Sequence, residues 1–199
     1  MKFFLASVVA YLIGSIPNGL ILGKLFWQID LREHGSKNIG ATNAYRTLGA
    51  KPAALIFIMD LLKGIIGVWL GSYMVGTPLA MILGGITAII GHNWSVFLKF
   101  TGGKGVATGL GVIAMLMPQV TIIVFITWIV IVYITKYVSL ASIVAAMMVP
   151  ICSYFFNEPL EYMCFSILAA GFVVYRHKSN IQRLINGNES KIKAGHIDK

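Results

Sequence analysis

Seven apolar runs divide this chain, at approximately residues 2 to 26, 53 to 75, 79 to 98, 106 to 117, 119 to 135, 140 to 156 and 160 to 175. A run of roughly 20 residues, wound as a helix rising about 1.5 Å per residue, crosses a hydrocarbon layer about 30 Å thick. Within that layer the backbone has no water to bond, so helices, which satisfy their own N–H and C=O groups, are the form such runs take. The first three runs are long enough and the last two nearly so. The fourth and fifth together exceed one crossing, and Pro118 would break the combined helix near its middle. Hydrophobic residues make up 57% of the 199, against roughly 45–50% in soluble domains, and the chain reads as an all-α, polytopic integral membrane protein.

Charge sets the orientation. Only 12% of residues are charged, yet the balance is +9. Lys24, Arg32, Lys37, Arg46 and Lys51 follow the first run, Lys99 and Lys104 the third, Lys136 the fifth, and Arg176, Lys178 and Arg183 the last. The positive-inside rule puts all four groups on the cytoplasmic face. Between Lys104 and Lys136 the chain then crosses twice or not at all, as two short spans or a re-entrant hairpin. Two spans give about seven transmembrane helices, two of them short, with the N-terminus outside and the C-terminus cytoplasmic. Lys2 is the one dissenting charge; the run it opens continues past Gly14 and Gly19 to Phe26 and reads as a retained first helix. Residues 1–185 are expected to form a single helical membrane domain carrying the chemistry, and 186–199 a polar, mobile cytoplasmic tail.

Small residues four apart at Ser15/Gly19, Gly19/Gly23, Gly67/Gly71 and Gly105/Gly109 predict close helix approach. Cys152 and Cys164, inside apolar runs, read as packing residues. Asp60 and Lys63 lie three apart on one face of the second run, where an internal ion pair is a sufficient explanation and no role is assigned.

The chemistry concentrates in the polar segments. Thr101-Gly102-Gly103-Lys104-Gly105-Val106-Ala107-Thr108 is a glycine-rich turn with one lysine. Glycines expose N–H groups and permit positive φ, so this turn can close around an anion. It is not a nucleotide P-loop, whose first glycine would fall at Leu98 and whose hydroxyl would fall at Gly105. His92 and Asn93 end the third helix just before it. Asp30 to Arg46 is dense in hydroxyls, amides and glycines that can converge on oxygen ligands. Ser139 reads as an N-cap of the sixth helix, with Ser142 one turn on. Arg176, Asn180 and Arg183 share a face if their segment is one helix, with His177 beside Asn180. The basic surplus faces anionic headgroups or an anionic substrate; nothing points to nucleic acid.

GSKNIGATNAYRTLG (35–49), GHNWSVF with FTGGKGVAT (91–108), YVSLAS and YRHKSNIQRLINGNES resemble the motifs of the bacterial PlsY family, the acyl-phosphate:glycerol-3-phosphate acyltransferases. Several motifs in one order, over nearly the whole chain, make the resemblance specific. It implies a seven-helix enzyme of the bacterial cytoplasmic (inner) membrane, its site facing the cytosol. The implied reaction moves a fatty acyl chain from acyl phosphate to the 1-hydroxyl of sn-glycerol 3-phosphate, the first step of membrane phospholipid synthesis, with no cofactor or metal. Implied partners are these two substrates, membrane lipid and, transiently, the enzyme that makes the acyl phosphate. Carried over by position, the implied catalytic residues are Ser36, Arg46, Lys104, Ser142, His177 and Asn180. Gly102, Gly103, Lys104, Gly105, Thr108 and Arg46 are the implied phosphate ligands, and Glu189 is structural. The chain departs from the family pattern at Lys37, where many relatives have glycine, and at Ser95, where proline is common; both put loop rigidity in question.

Overall fold

The computed structural model describes residues 1–193, which fall into two compact units: Met1–Val112 with Lys193, and Ile113–Ile192. The first holds α1 (Lys2–Ser15), α2 (Asn18–Trp27), α3 (Ala41–Leu48), α4 (Ala50–Met74), α5 (Pro78–Asn93) and the start of α6 (Val106–Leu116). The second holds the end of α6, then α7 (Pro118–Thr135), α8 (Val138–Phe155), α9 (Leu160–Arg176) and α10 (Lys178–Ile185). Among the described residues there is no β-strand, only an isolated bridge between Ser95 and Thr101. Among the described residues, four segments are long and apolar enough to cross a membrane: Lys2–Trp27, Ala50–Met74, Pro118–Thr135 and Val138–Phe155.

The first apolar run is two helices, not the single one expected. Pro17 has no N–H to donate and drives Ile16 to an extended conformation (φ −57°, ψ 117°), which ends α1. The break takes the Ser15 and Ile16 carbonyls out of the regular helical ladder. In an apolar layer such groups need partners. The Ser95 hydroxyl donates to the Ser15 carbonyl, and the Lys63 ammonium to that of Ile16. Ser95, expected to loosen its loop, therefore pins it to α1.

The third helix ends at His92 and Asn93, as expected, although the apolar run continues to 98. α5 has 16 residues, about 24 Å, and ends at Asn93, because residues 95 to 101 turn back on themselves: the Ser95 N–H donates to the Thr101 carbonyl (3.2 Å) and the Phe100 N–H to the Ser95 carbonyl (2.8 Å). The chain leaves α6 after 11 residues, about 16 Å, and restarts at α7 with Pro118 in the first helical position, where a missing N–H costs nothing.

Glycines set the helix spacing in the first unit. A β-carbon on Gly84 would collide with the Gly67 carbonyl and one on Gly71 with that of Ala80, so α4 and α5 meet backbone to backbone. α1 meets α5 in the same way at Gly14 and Gly91. The other expected pairs do different work. Gly19 and Gly23 make room for the carbonyls of Ile39 and Ile29 in the following loop, and Gly109 has only Ile89 at 4.0 Å.

Candidate anion-binding site

The loop before α3 is held by one buried side chain, Asn43. Its amide nitrogen donates to the carbonyls of Leu31 (3.0 Å), His34 (3.0 Å) and Asn38 (2.8 Å), and its oxygen accepts the Ser36 N–H (2.8 Å). Ser36 is thereby fixed at the exposed rim of the loop, and Arg46, half-buried, projects from the last turn of α3. Lys37 adopts φ 58°, which explains why glycine suits this position. At the loop's base Asp30 is paired with Arg32 (2.6 Å) and Lys24 (3.0 Å); the Arg32 hydrogen bond above all holds its carboxyl well below the usual range.

The glycine turn is built differently at each glycine. A β-carbon on Gly102 would strike the His92 carbonyl, and one on Gly103 the His92 ring at Nε2. Gly105 has φ 77°, and its α-carbon faces the Asn93 amide so closely that a β-carbon would sit 3.0 Å from both Asn93 polar atoms. The Gly103 N–H is tied to the His92 carbonyl (3.0 Å). Beneath the turn, Asn93 and Thr108 are fully buried, and the Asn93 amide and the Thr108 hydroxyl have no hydrogen-bond partner within the described protein. Lys104 is half-buried between two buried glycines, and α6 begins at Val106. A lysine, a positive-φ glycine and the N-terminus of an 11-residue helix thus occupy three consecutive residues, Lys104 to Val106. Backbone N–H groups, helix dipole and ammonium all favour an anion there.

In the second unit the polar residues gather on Glu189. Its carboxylate accepts from the Ser139 hydroxyl (2.7 Å), the Asn180 amide (2.8 Å) and Arg183 Nε (2.7 Å), and the Ile192 N–H donates to the Lys136 carbonyl (2.7 Å). Burial works against ionisation of Glu189, but these three hydrogen bonds and the Arg183 charge outweigh it and lower its pKa. The tail is therefore docked as far as Ile192, against the expectation of mobility; residues 194–199 lie outside the described residues. Ser139 is inside α8 and not its cap. The helix also breaks at His177: Arg176 closes α9, while Asn180 and Arg183 belong to α10, so the expected three-residue face is two. His177 is buried, and its Nδ1 lies 2.8 Å from the Val173 carbonyl. A carbonyl only accepts, so Nδ1 carries the hydrogen and Nε2 the lone pair. The Ser142 hydroxyl donates to the Val138 carbonyl (2.9 Å) and accepts from Trp128 Nε1 (3.2 Å).

The family profile described as glycerol-3-phosphate acyltransferase matches residues 4–187. This chain belongs to that family. The glycerol-3-phosphate acyltransferase of Fusobacterium nucleatum is 47% identical over 193 residues, covering 97% of this chain and 100% of the relative. That of Thermoanaerobacter pseudethanolicus is 44% identical, covering 96% of each. The crystal structure of PlsY, an integral membrane glycerol 3-phosphate acyltransferase, in its glycerol 3-phosphate form superposes with a TM-score of 0.91 at 36% identity, over 97% of this chain and 96% of that one. Its lysophosphatidic acid form gives 0.89 at 35% identity, over 96% and 95%.

Within the first unit, contacts run from the Ser36 loop to the glycine turn: Ile39 against Gly19, Asn18 to Asp60, Asp60 beside His92, His92 beneath Gly103. Ser142, His177 and Asn180 lie in the second unit, on α8 and around α10. Sequence reasoning passed over Asn43 and left Asp60 and Lys63 unassigned. For Asn43 no periodic signal exists, since its partners lie 12, 9, 7 and 5 residues back along an irregular loop.

Proposed function

We propose that this chain transfers a fatty acyl group from acyl phosphate to the 1-hydroxyl of sn-glycerol 3-phosphate, yielding lysophosphatidic acid and inorganic phosphate at the start of membrane phospholipid synthesis. The observation that carries the reading is the glycine turn with Lys104 at the start of α6, in a chain of this family. Acyl phosphate is already activated, so the reaction calls for orientation and charge stabilisation more than for a covalent nucleophile or a cofactor. Support for that comes from Ser142, whose hydroxyl hydrogen is committed to the Val138 carbonyl.

In the proposed step the acceptor hydroxyl oxygen attacks the acyl carbonyl carbon, its proton passes to a phosphate oxygen of the substrate, and the carbonyl carbon–oxygen bond to phosphate breaks. Lys104 and Arg46 neutralise phosphate by full charge, Gly102 and Gly105 offer it backbone N–H groups and Thr108 its hydroxyl, while Gly103, its own N–H tied to the His92 carbonyl, closes the turn around it. Ser36 orients the acceptor, and Asn180 acts as a polar ligand held in place by Glu189. His177 is the competing base, its Nε2 lone pair set by the Nδ1 bond to Val173. The fuller placement is seven helices with the N-terminus outside, in the bacterial cytoplasmic membrane. The residues named here then face the cytosol, the acyl tail lies in lipid, and the donor arrives by transient contact with the enzyme that makes it.

Lys104→Met tests the reading. With palmitoyl phosphate and glycerol 3-phosphate, turnover should fall at least a hundredfold while the variant stays folded. Full turnover by Lys104→Met would remove the turn from the chemistry, and His177→Ala with an unchanged kcat would remove the histidine base.

A further inference from the structure

Four polar residues lie packed inside the first unit between the helix break and the glycine turn. Asp60, Lys63, His92 and Asn18 are each 3 to 5% exposed. One carboxylate oxygen, Asp60 Oδ1, accepts from Lys63 Nζ (2.8 Å) and Asn18 Nδ2 (3.1 Å) and lies 3.7 Å from His92 Nδ1. Lys63 also donates to the Ile16 carbonyl freed by Pro17. The opposite edge of the His92 ring fills the space under Gly103, whose missing β-carbon would fall on Nε2, and the His92 carbonyl accepts the Gly103 N–H.

An ion pair alone would satisfy Asp60 and Lys63. It does not account for the ring of His92 being set between Asp60 and the anion-binding turn, with its Nδ1 edge facing the same carboxylate oxygen that Lys63 and Asn18 bond. We propose that Asp60 is a positioning residue for the glycine turn, acting through His92: it packs against the Nδ1 edge of the imidazole at 3.7 Å, so that the Nε2 edge supports Gly103 and keeps the turn from Gly102 to Gly105 in register for phosphate. Lys63 and Asn18 hold that carboxylate in place, and Lys63 anchors it to the α1–α2 break. The functional consequence rests on the acyltransferase reading; the structural link between Asp60 and the turn does not.

The test therefore has two readouts on the full-length protein in detergent. Amide hydrogen exchange of the 101–105 segment reports the turn directly, and KM for palmitoyl phosphate and for glycerol 3-phosphate reports its use. The variants are Asp60→Leu/Lys63→Met, which removes acceptor and charge together and leaves no lone buried ion, and His92→Leu. In each, exchange across 101–105 should accelerate at least tenfold and one substrate KM should rise at least fivefold, with kcat within threefold. Combining all three substitutions should do no more than either variant alone, because both act through the same ring. Unchanged exchange in His92→Leu and in the double variant overturns the proposal, as does additivity of the two. A double variant that loses only thermal stability, with exchange and KM as in the parent, assigns the pair to folding alone and also overturns it. Absence of turnover in the parent protein would instead refute the acyltransferase reading, and the exchange measurement would still decide the role of Asp60.

Discussion

Replacing Asn43 with leucine roughly keeps the branched shape and removes every hydrogen bond that the Asn43 side chain makes to the Ser36 loop. The amide has two hydrogens shared among three carbonyls and one oxygen accepting the Ser36 N–H, so about three independent bonds are lost. At a net ~1 kcal/mol each, with the carbonyls left in a partly buried loop, the expected loss is about 3 kcal/mol. Asn43→Asp sharpens the case. It retains the acceptor for Ser36 but turns an anionic oxygen toward three carbonyls, and should destabilise at least as much. Unfolding in mixed micelles of increasing dodecyl sulfate content measures the stability, and phosphate release measures the chemistry. Because Ser36 is placed by this loop, kcat/KM should fall more than tenfold in both variants under conditions where they remain folded. A loss below 0.5 kcal/mol in Asn43→Leu, by the estimate for ordinary surface changes, with kcat/KM within twofold, would refute the argument that Asn43 organises the loop.

Lys37→Gly should stabilise the protein by about 0.5 kcal/mol, since relief of a left-handed non-glycine residue at φ 58° slightly exceeds the entropy glycine adds to the unfolded chain; a lower melting temperature would contradict this. Gly84→Ala, whose β-carbon meets the Gly67 backbone, should cost about 2 kcal/mol or more by forcing α4 and α5 apart, and a melting temperature equal to the parent's would be inconsistent with the crossing described. Glu189 has a pKa lowered from its ordinary 4.5, so its contribution is complete above that value and is lost as pH falls through the lower folded one. Proteolytic protection of residues 186–192 should therefore hold from pH 7 to 5 and fail on further acidification, whereas Glu189→Gln should be less protected throughout and lack that acid step.

The helices were legible because lipid leaves the backbone few options, and Pro118 marked the α6–α7 boundary at the place where the helix restarts. Hydropathy misled where apolar residues continue through a change of direction. The apolar run continues to Leu98 past the helix end that His92 and Asn93 marked, and the hydrogen bonds of Ser95 show how the chain reverses there. Pro17 was visible, but the apolar residues on both sides concealed the break, and its cost is offset by Lys63 and Ser95, tens of residues away. The glycine turn was legible in the sequence as a candidate anion cradle. That its three glycines answer to the His92 carbonyl, the His92 ring and a positive φ is tertiary information. Likewise Arg176 to Arg183 carries a continuous helical pattern, and the interruption at His177 comes from packing that periodicity does not encode.

The central claim is most directly tested by phosphate release from the purified, detergent-solubilised protein given palmitoyl phosphate, with and without glycerol 3-phosphate. The account predicts release that requires the acceptor and matches lysophosphatidic acid formation mole for mole. Release independent of glycerol 3-phosphate, or product formed from acyl-CoA but not from acyl phosphate, would contradict it.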